Sequence, residues 1–269
     1  MKKSILKSLF AGLALLSIVA CGDKKGDSTV LKVGVMTGPE HALAVVAQEI
    51  AKEQYNLDVE LVTFNDYILP NEALNQGEID ANAFQTQPFI DEQVKQRGYK
   101  LAVIGNTFVY PIVGYSKKIK SLNELKNGST IAIPNDAPNG GRSLILLSKL
   151  GLIQLKENVG LFPKVTDIIA NPKQLEIAEL EAPQLTRVLD DEKVAIAVIN
   201  NNFAGQAGLE ASEYGVFTED KDSPYMNLVV SREDNKNDPR IKQFLQAYQS
   251  DKVEAKAKEL FKDGAVKGW

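Results

Sequence analysis

The chain has 269 residues, with 31 lysines and arginines against 35 aspartates and glutamates, and a formal net charge of −4. It contains a single cysteine, so no disulfide can form within it, and no basic stripe indicates binding to nucleic acid. A chain of this length can bury a large core in one domain or in two.

The N-terminal segment has the pattern of an export signal. Three lysines precede an apolar run over 9–20, which is too short for a transmembrane helix. The run ends in Ile18-Val19-Ala20-Cys21, which resembles the lipobox of bacterial lipoproteins. We predict a signal peptide over 1–20, lipidation of Cys21 and a flexible tether over 21–29. An ordinary signal peptide with a cysteine nearby is the alternative.

The next part of the chain alternates strand and helix patterns. Such alternation predicts βαβ units and a mostly parallel sheet. The predicted strands are 31–36, 59–64, 79–84 and 101–104, and the predicted helices are 41–54, 71–76 and 88–97.

The pattern restarts after an apolar, aromatic stretch over 107–115 that is long enough to run from one sheet to another. Two α/β groups, followed by a final stretch of chain that returns toward the first group, predict an α/β fold of two lobes. The lobes are then joined by more than one crossing. One continuous sheet is the competing interpretation. Predicted here are a loop over 134–141, strands at 131–133, 175–180, 194–199 and 225–230, and helices at 122–126, 142–150, 183–191 and 239–262.

Most enzyme signatures are missing. His41 is the only histidine, and a lone histidine near a helix start is more often a surface or capping residue than a catalytic base. The sequence has no zinc-binding, serine-hydrolase, P-loop or dinucleotide-binding motif. We therefore predict no catalytic residue, no metal site and no cofactor.

The strongest polar signal is Asn139-Gly140-Gly141-Arg142-Ser143, which we interpret as a glycine turn entering a helix. Helix starts attract anions, and a guanidinium fits a carboxylate in two-point contact. The pattern favours an amino acid or a small organic acid as ligand. An arginine that points to water is the alternative.

Amide side chains form a second signal. Asn200, Asn201 and Asn202 follow an apolar strand, where open α/β sheets place ligand-binding residues, although a simple turn has the same composition. Asn227 lies within an apolar strand, where a buried amide must find partners in the fold or in a ligand.

Aromatic residues at several strand ends form a third signal. Phe64 and Tyr67 follow one predicted strand, and Phe84 and Phe89 follow another. Together they are suited to line a pocket for an apolar side chain, but core packing explains each one equally well.

These residues belong to longer blocks that resemble the methionine-binding lipoproteins of bacterial ABC importers, within the NlpA lipoprotein family. The resemblance covers nearly the whole chain after Cys21. The blocks that carry it are 32–35, 62–67, 69–74, 80–85, 105–111, 141–143, 197–200, 223–225 and 264–269.

The resemblance implies a two-lobed periplasmic-binding-protein fold, type II-like, with a ligand cleft between lobes that close by hinge motion. We assign 30–110 and 227–269 to lobe 1 and 111–226 to lobe 2. In this fold a ligand sits between the lobes.

The same resemblance implies roles for individual residues. Arg142 holds the ligand carboxylate, and Asn200 and Asn227 bond its amino and carboxylate groups. Tyr67 and Phe84 enclose its thioether side chain, since sulfur packs well on aromatic edges.

The sequence departs from the family pattern beside this pocket. The family usually has a His-x-Pro-Tyr run here, whereas this chain has Thr86-Gln87-Pro88-Phe89. We include Thr86 and Phe89 in the predicted ligand site. Methionine (L, D or oxidised) is the expected ligand, while another small amino acid or a short peptide is the alternative.

We thus expect a monomeric, non-enzymatic binding protein, held by lipid on the periplasmic side of the inner or outer membrane. Its expected partner is an ABC permease and ATPase complex. A lipoprotein that serves adhesion or envelope maintenance, with a vestigial pocket, is the alternative, and a hydrolase has little support.

Overall fold

The computed structural model describes residues 29–262 and 264–269. The predicted signal peptide, Cys21 and all but the last residue of the predicted tether lie outside this part of the chain. Within the described residues, no helix combines the length and apolar character needed to cross a membrane.

The first sheet has six strands in the order β13-β4-β12-β3-β1-β2. Strand β1 is parallel to β2 and β3, whereas β12 runs antiparallel between β3 and β4. Two of the five strand pairings are parallel and three are antiparallel, so the sheet is mixed and the predicted mostly parallel sheet is wrong for this lobe. The strands are β1 (Val30–Met36), β2 (Asp58–Phe64), β3 (Ala81–Thr86), β4 (Leu101–Val109), β12 (Met226–Arg232) and β13 (Val266–Lys267).

Two helical layers pack on this sheet. Helices α1, α7 and α8 bury one face, through residues such as Leu43, Ile241 and Phe244. Helices α2 and α3 bury the other face, through Leu74 and Ile90. These helices are α1 (Pro39–Tyr55), α2 (Leu69–Gln76), α3 (Gln87–Arg97), α7 (Pro239–Tyr248) and α8 (Asp251–Phe261).

The second sheet has five strands in the order β11-β5-β10-β6-β9. Strands β6, β9 and β10 are parallel, and β5 runs antiparallel between β10 and β11. A separate hairpin joins β7 (Gln154–Leu155) to β8 (Ile168–Ala170). The remaining elements are β5 (Val113–Tyr115), β6 (Thr130–Pro134), β9 (Glu176–Leu180), β10 (Val194–Ile199), β11 (Gly215–Thr218), α4 (Ala137–Lys149), α5 (Asn201–Gln206) and α6 (Ala211–Tyr214).

The chain crosses between the sheets twice. Residues 110–112 lead from β4 in the first sheet to β5 in the second, and residues 219–225 lead back from β11 to β12. The predicted two-lobed α/β fold is confirmed, and the apolar stretch over 107–115 does pass from one sheet to the other. A single continuous sheet is excluded.

The predicted loop over 134–141 is wrong. Helix α4 begins at Ala137, because the side chain of Asp136 accepts a hydrogen bond from the backbone N–H of Asn139, at 2.9 Å, and so caps the helix. Pro138 fits the first turn of a helix. The turn-forming residues in this segment are therefore capping signals, and Arg142 lies in the second helical turn instead of at the helix start.

The predicted helix over 183–191 is also wrong. The segment forms two short 3₁₀ turns, Ala182–Gln184 and Arg187–Asp190. Lys118 explains part of the difference, because its ammonium group donates to the backbone carbonyls of this segment that a continuing helix would use, including that of Leu189 at 3.3 Å. The buried side chains of Ala182, Leu185 and Leu189 are nonetheless three and four residues apart, which is why the pattern indicated a helix.

The start of α4 generates a stability test. A Cβ on Gly141 would lie 2.7 Å from the carbonyl oxygen of Leu161 and 3.0 Å from Phe162 Cα. We expect Gly141→Ala to lower the free energy of unfolding by about 1–3 kcal/mol, although alanine in an open helix gains about 1 kcal/mol over glycine. Denaturant unfolding measures the change. Ser148→Ala, on the same helix, is the control and should be near neutral; a stabilised Gly141→Ala variant would contradict the packing.

Candidate functional site

The predicted site residues come together in one pocket between the two sheets. All seven line it, from Tyr67 in the first lobe to Asn200 in the second. The cavity that these side chains enclose has a volume of about 30 Å³, so the two lobes lie close together around it. The lining residues are Glu40, Tyr67, Phe84, Gln85, Thr86, Phe89, Tyr110, Asn139, Arg142, Asn200, Asn201, Asn202 and Asn227.

Arg142 is a buried cation in this wall, only 3% exposed. Its Nε donates to both carboxylate oxygens of Glu219, at 3.0 and 3.2 Å, and its Nη2 donates to the same carboxylate and to the carbonyl oxygen of Tyr110, at 3.0 Å. Among the described residues, Nη1 has no hydrogen-bond partner. The guanidinium also stacks over the ring of Tyr225, with Cζ 4.3 Å from the centroid. One edge of the guanidinium is thus fixed by the protein.

Both interlobe crossings meet at this arginine. Tyr110 belongs to the first crossing and Glu219 to the second. Glu219 is further fixed by Ile112, whose backbone N–H donates to its carboxylate at 3.3 Å, and whose carbonyl accepts from the Glu219 backbone N–H at 2.9 Å. A side chain from the second lobe therefore connects the pocket to both crossings.

The amide group of Asn200 lies at the start of α5. Its Nδ2 donates to Oδ1 of Asn139, at 2.9 Å, whereas its own Oδ1 is buried and has no hydrogen-bond partner among the described residues. Asn139 is in turn held by Asp136, which accepts from its Nδ2 at 2.8 Å. Burial raises the pKa of Asp136, while these hydrogen bonds from Asn139 act in the opposite direction. Asn200 thus presents an acceptor.

Asn202 and Asn227 add further polar groups. Oδ1 of Asn202 accepts from the Tyr67 hydroxyl, which leaves its buried Nδ2 unpartnered among the described residues. Asn227 is 7% exposed and pairs in register with Thr86 across β12 and β3, and within the described part of the chain its side chain makes no hydrogen bond. Polar groups enclosed in this way normally have partners.

Aromatic rings form the apolar wall. Tyr67, Phe84 and Phe89 are mutually packed, each pair of centroids 5.9 Å apart, and Phe203 of the second lobe lies 5.0 Å from Tyr67. Burial raises the pKa of Tyr67 well above its usual value, so its hydroxyl stays protonated and donates to Asn202. Tyr67 thereby joins the two lobes through both its ring and its hydroxyl.

Sequence reasoning missed Glu40, Glu219 and Tyr110. Glu40 has a signal in the sequence, because it follows β1 directly, at the strand end where open α/β sheets bind ligands. Gly38 has a φ of 92°, which favours glycine, and Pro39 then starts α1, so that Glu40 falls in the first turn. Glu219 has no such signal, since its partner Arg142 is 77 residues away.

The donor set does not suit a metal. The described residues contain no cluster of three histidine, cysteine, aspartate or glutamate side chains that could hold an ion. The pocket instead combines a buried cation, amides and aromatic rings around an interlobe cleft.

Two α/β lobes with such a pocket between them define the class of two-lobed periplasmic binding proteins. A family model described as NlpA lipoprotein matches residues 31–269, and the chain belongs to that family. The resemblance inferred from the sequence is confirmed.

The chain is also similar to individual proteins of known sequence or structure. The chain is 61% identical over 254 residues to the D-methionine-binding lipoprotein MetQ of Escherichia coli strain K12, across 94% of each chain. Two solved structures are similar over nearly their full length. One is an ABC transporter, periplasmic substrate-binding protein from Coxiella burnetii, with TM-score 0.85 and 48% identity, covering 88% of this chain and 100% of that one. The other is a nutrient binding protein from Burkholderia cenocepacia bound to methionine, with TM-score 0.86 and 45% identity, covering 89% and 100%.

The buried ion pair generates a prediction. Glu219→Ala leaves the Arg142 charge buried without its carboxylate, so we expect the free energy of unfolding to fall by about 3–5 kcal/mol. The double replacement Arg142→Met with Glu219→Leu should cost less than the two single ones combined, because it removes both charges. Denaturant unfolding of the ligand-free protein measures this. Asp220 is exposed and follows Glu219 directly, so Asp220→Ala is the control. It should change the free energy of unfolding by less than about 0.5 kcal/mol. Additive costs would contradict the pairing.

Proposed function

We propose that this protein is the substrate-binding component of a bacterial ABC importer, and that it captures methionine between its lobes. A binding role agrees with the pocket, because the described residues that line it include no nucleophile paired with a base. The names of the relatives, which include methionine-binding proteins and a periplasmic substrate-binding protein of an ABC transporter, support the choice of ligand and system.

The observation that carries the proposal is the set of buried polar groups without partners. Among the described residues these are Asn200 Oδ1 and Asn202 Nδ2, and both residues line the pocket. Asn227 lines it as well. Leaving such a group unsatisfied costs about 1–3 kcal/mol, which a ligand with donors and acceptors recovers. In a pocket that binds no ligand this cost would have no compensation. The unpartnered groups therefore favour a binding role over a purely adhesive one.

The proposed roles follow from the pocket atoms that have no hydrogen-bond partner among the described residues. Arg142 holds the ligand carboxylate through Nη1, since Nε and Nη2 are bound by Glu219, and Asn227 adds a donor from the first lobe. Asn200 accepts from the amino group through Oδ1. Tyr67 and Phe84, with Phe89 and Thr86, enclose the thioether side chain, which packs favourably on ring edges.

Ligand binding is proposed to close the lobes. We assign 30–110 and 227–269 to one lobe and 111–226 to the other, with the crossings at 110–112 and 219–225 as hinges. Arg142 and Asn227 lie on opposite lobes in this division, so a ligand that contacts both binds the closed form better than the open one. That difference in affinity drives closure.

The proposal extends to the location of the protein. Lipid on Cys21 would hold the protein, which we propose to be a monomer, on the periplasmic side of the inner or outer membrane, and a permease and ATPase complex would accept the ligand from it. Of the two membranes, only the inner one would keep the protein beside that complex. Tethering to the same membrane raises the effective concentration of the binding protein at its permease.

The proposed ligand is tested by calorimetry and by mass spectrometry of material released from freshly purified protein. We expect methionine to be released and to rebind. Arg142→Ala should bind methionine at least about a hundredfold more weakly, since the loss of a buried charge partner costs about 3–5 kcal/mol. Asn227→Ala, which leaves the ion pair intact, should weaken binding about tenfold.

Exposed Arg187 supplies the matched control, because Arg187→Ala removes the same charge away from the pocket. Its affinity should equal that of the unmodified protein. If Arg142→Ala bound methionine with near-native affinity, the proposed role of that residue would be wrong. Absence of any thermal shift with each of the twenty amino acids would sink the proposed function.

The proposed anchor is tested separately. Cys21→Ala removes the only cysteine, so we expect no incorporation of labelled palmitate and no partition into the membrane fraction, while methionine affinity is unchanged. Labelling of the variant at the level of the unmodified protein would contradict lipidation at Cys21.

A further inference from the structure

Glu40 is a carboxyl group in the pocket wall that the roles above do not use. The residue is only 5% exposed and lines the same pocket as Arg142. Within the described part of the chain, its carboxyl group makes no hydrogen bond or ion pair with another residue. A buried carboxyl group retained only for the fold is normally bonded to its neighbours.

The groups that face Glu40 are tyrosines. Burial raises the pKa of Tyr67 and of Tyr248, and the charge of Glu40 raises each further. Tyr110 shifts in the same direction, first through burial, then through Tyr248 and Glu40. These residues come from the loop after β2, the first crossing and α7. Tyr67 and Tyr110 line the same pocket as Glu40, and no lysine or arginine is paired with Glu40 within the described residues.

The pocket wall consequently contains two ionisable groups of opposite type. Arg142 supplies a cation, and Glu40 supplies a carboxyl group that lacks the cation it would need when ionised. Burial alone raises the pKa of Glu40 to about 8, which shows how unfavourable the unpaired carboxylate is. A ligand that carries an ammonium group provides the missing charge.

We propose that Glu40 binds the α-ammonium group of the ligand and makes the pocket selective for zwitterionic α-amino acids. The inference rests on the proposed function and deepens it. Asn200 Oδ1, the unpartnered acceptor in the same pocket, takes a second ammonium proton. Hydroxy acids and N-acylated amino acids of the same shape lack the positive charge, so this site discriminates against them.

The pairing has a measurable proton balance. At pH 7 the carboxyl group of the ligand-free protein carries a proton, because this pH is below its pKa. The bound ammonium favours the carboxylate, so the carboxyl proton passes to the buffer while the ligand keeps its three ammonium protons. Binding at pH 7 should therefore release close to one proton. As the pH rises through about 8, the carboxyl group of the ligand-free protein ionises before binding, so its contribution to proton release should fall.

The test is a cycle of two proteins and two ligands. Calorimetry compares L-methionine with 2-hydroxy-4-(methylthio)butanoate, its hydroxy analogue, on the unmodified protein and on Glu40→Gln. We compare the ratio of the affinity for methionine to the affinity for the hydroxy analogue. This ratio should be at least about tenfold larger in the unmodified protein than in Glu40→Gln, since a hydrogen bond to a charged group has that magnitude. Titration in buffers of different ionisation enthalpy should show proton release only in the unmodified protein.

The matched control is Glu49→Gln, an exposed glutamate of the same helix, which should keep the methionine preference and the proton release. Glu40→Gln should fold, because the amide has the shape of the neutral carboxyl group, and thermal unfolding checks this. Methionine binding with equal preference in both proteins overturns the role of Glu40 and leaves the proposed function standing. Failure of the unmodified protein to bind any amino acid overturns both.

Discussion

The rest of the structure depends on the buried guanidinium of Arg142. A cation removed from water must be paired, and here Glu219 accepts from both Nε and Nη2 while the Tyr110 carbonyl accepts from Nη2. Those two partners lie on the two chain segments that connect the lobes. The desolvation of one charge therefore fixes the position of both crossings relative to α4 and to the pocket.

This arrangement determines how a carboxylate can bind. A two-point contact with the guanidinium fork is already taken by Glu219, so the ligand that we propose would approach the remaining Nη1 edge and would need further donors. The amides of Asn202 and Asn227, on elements from different lobes, are suited to supply them. Because Glu219 holds the guanidinium in place before binding, little rotamer entropy is lost when the ligand arrives. Specificity then depends on groups contributed by both lobes.

The sequence predicted the features that follow from local patterns. Strand and helix alternation gave the two lobes, and the apolar stretch over 107–115 gave the first crossing. The same local reasoning failed at 134–141, where Asp136 and Pro138 cap a helix that resembled a loop. It also could not find Glu219, because a pairing across 77 residues depends on tertiary structure. The roles of the pocket residues came from the family blocks, since single asparagines and aromatic residues fit a turn or a core equally well.

The departures from the family pattern, at Thr86 and Phe89, act on the side-chain end of the pocket. Phe89 is 5% exposed and packs edge-on against both Tyr67 and Phe84, so a phenolic hydroxyl at this position would have to find a partner within a ring cluster. With phenylalanine the wall presents ring edges, and the hydroxyl of Tyr67 is already bonded to Asn202. Ring edges stabilise a polarizable thioether but give no hydrogen bond to a sulfoxide oxygen. For the methionine that we propose as ligand, Thr86 and Phe89 would therefore favour the reduced side chain over the oxidised one, while the charged end, built from Arg142 and Glu219, would be unaffected by them.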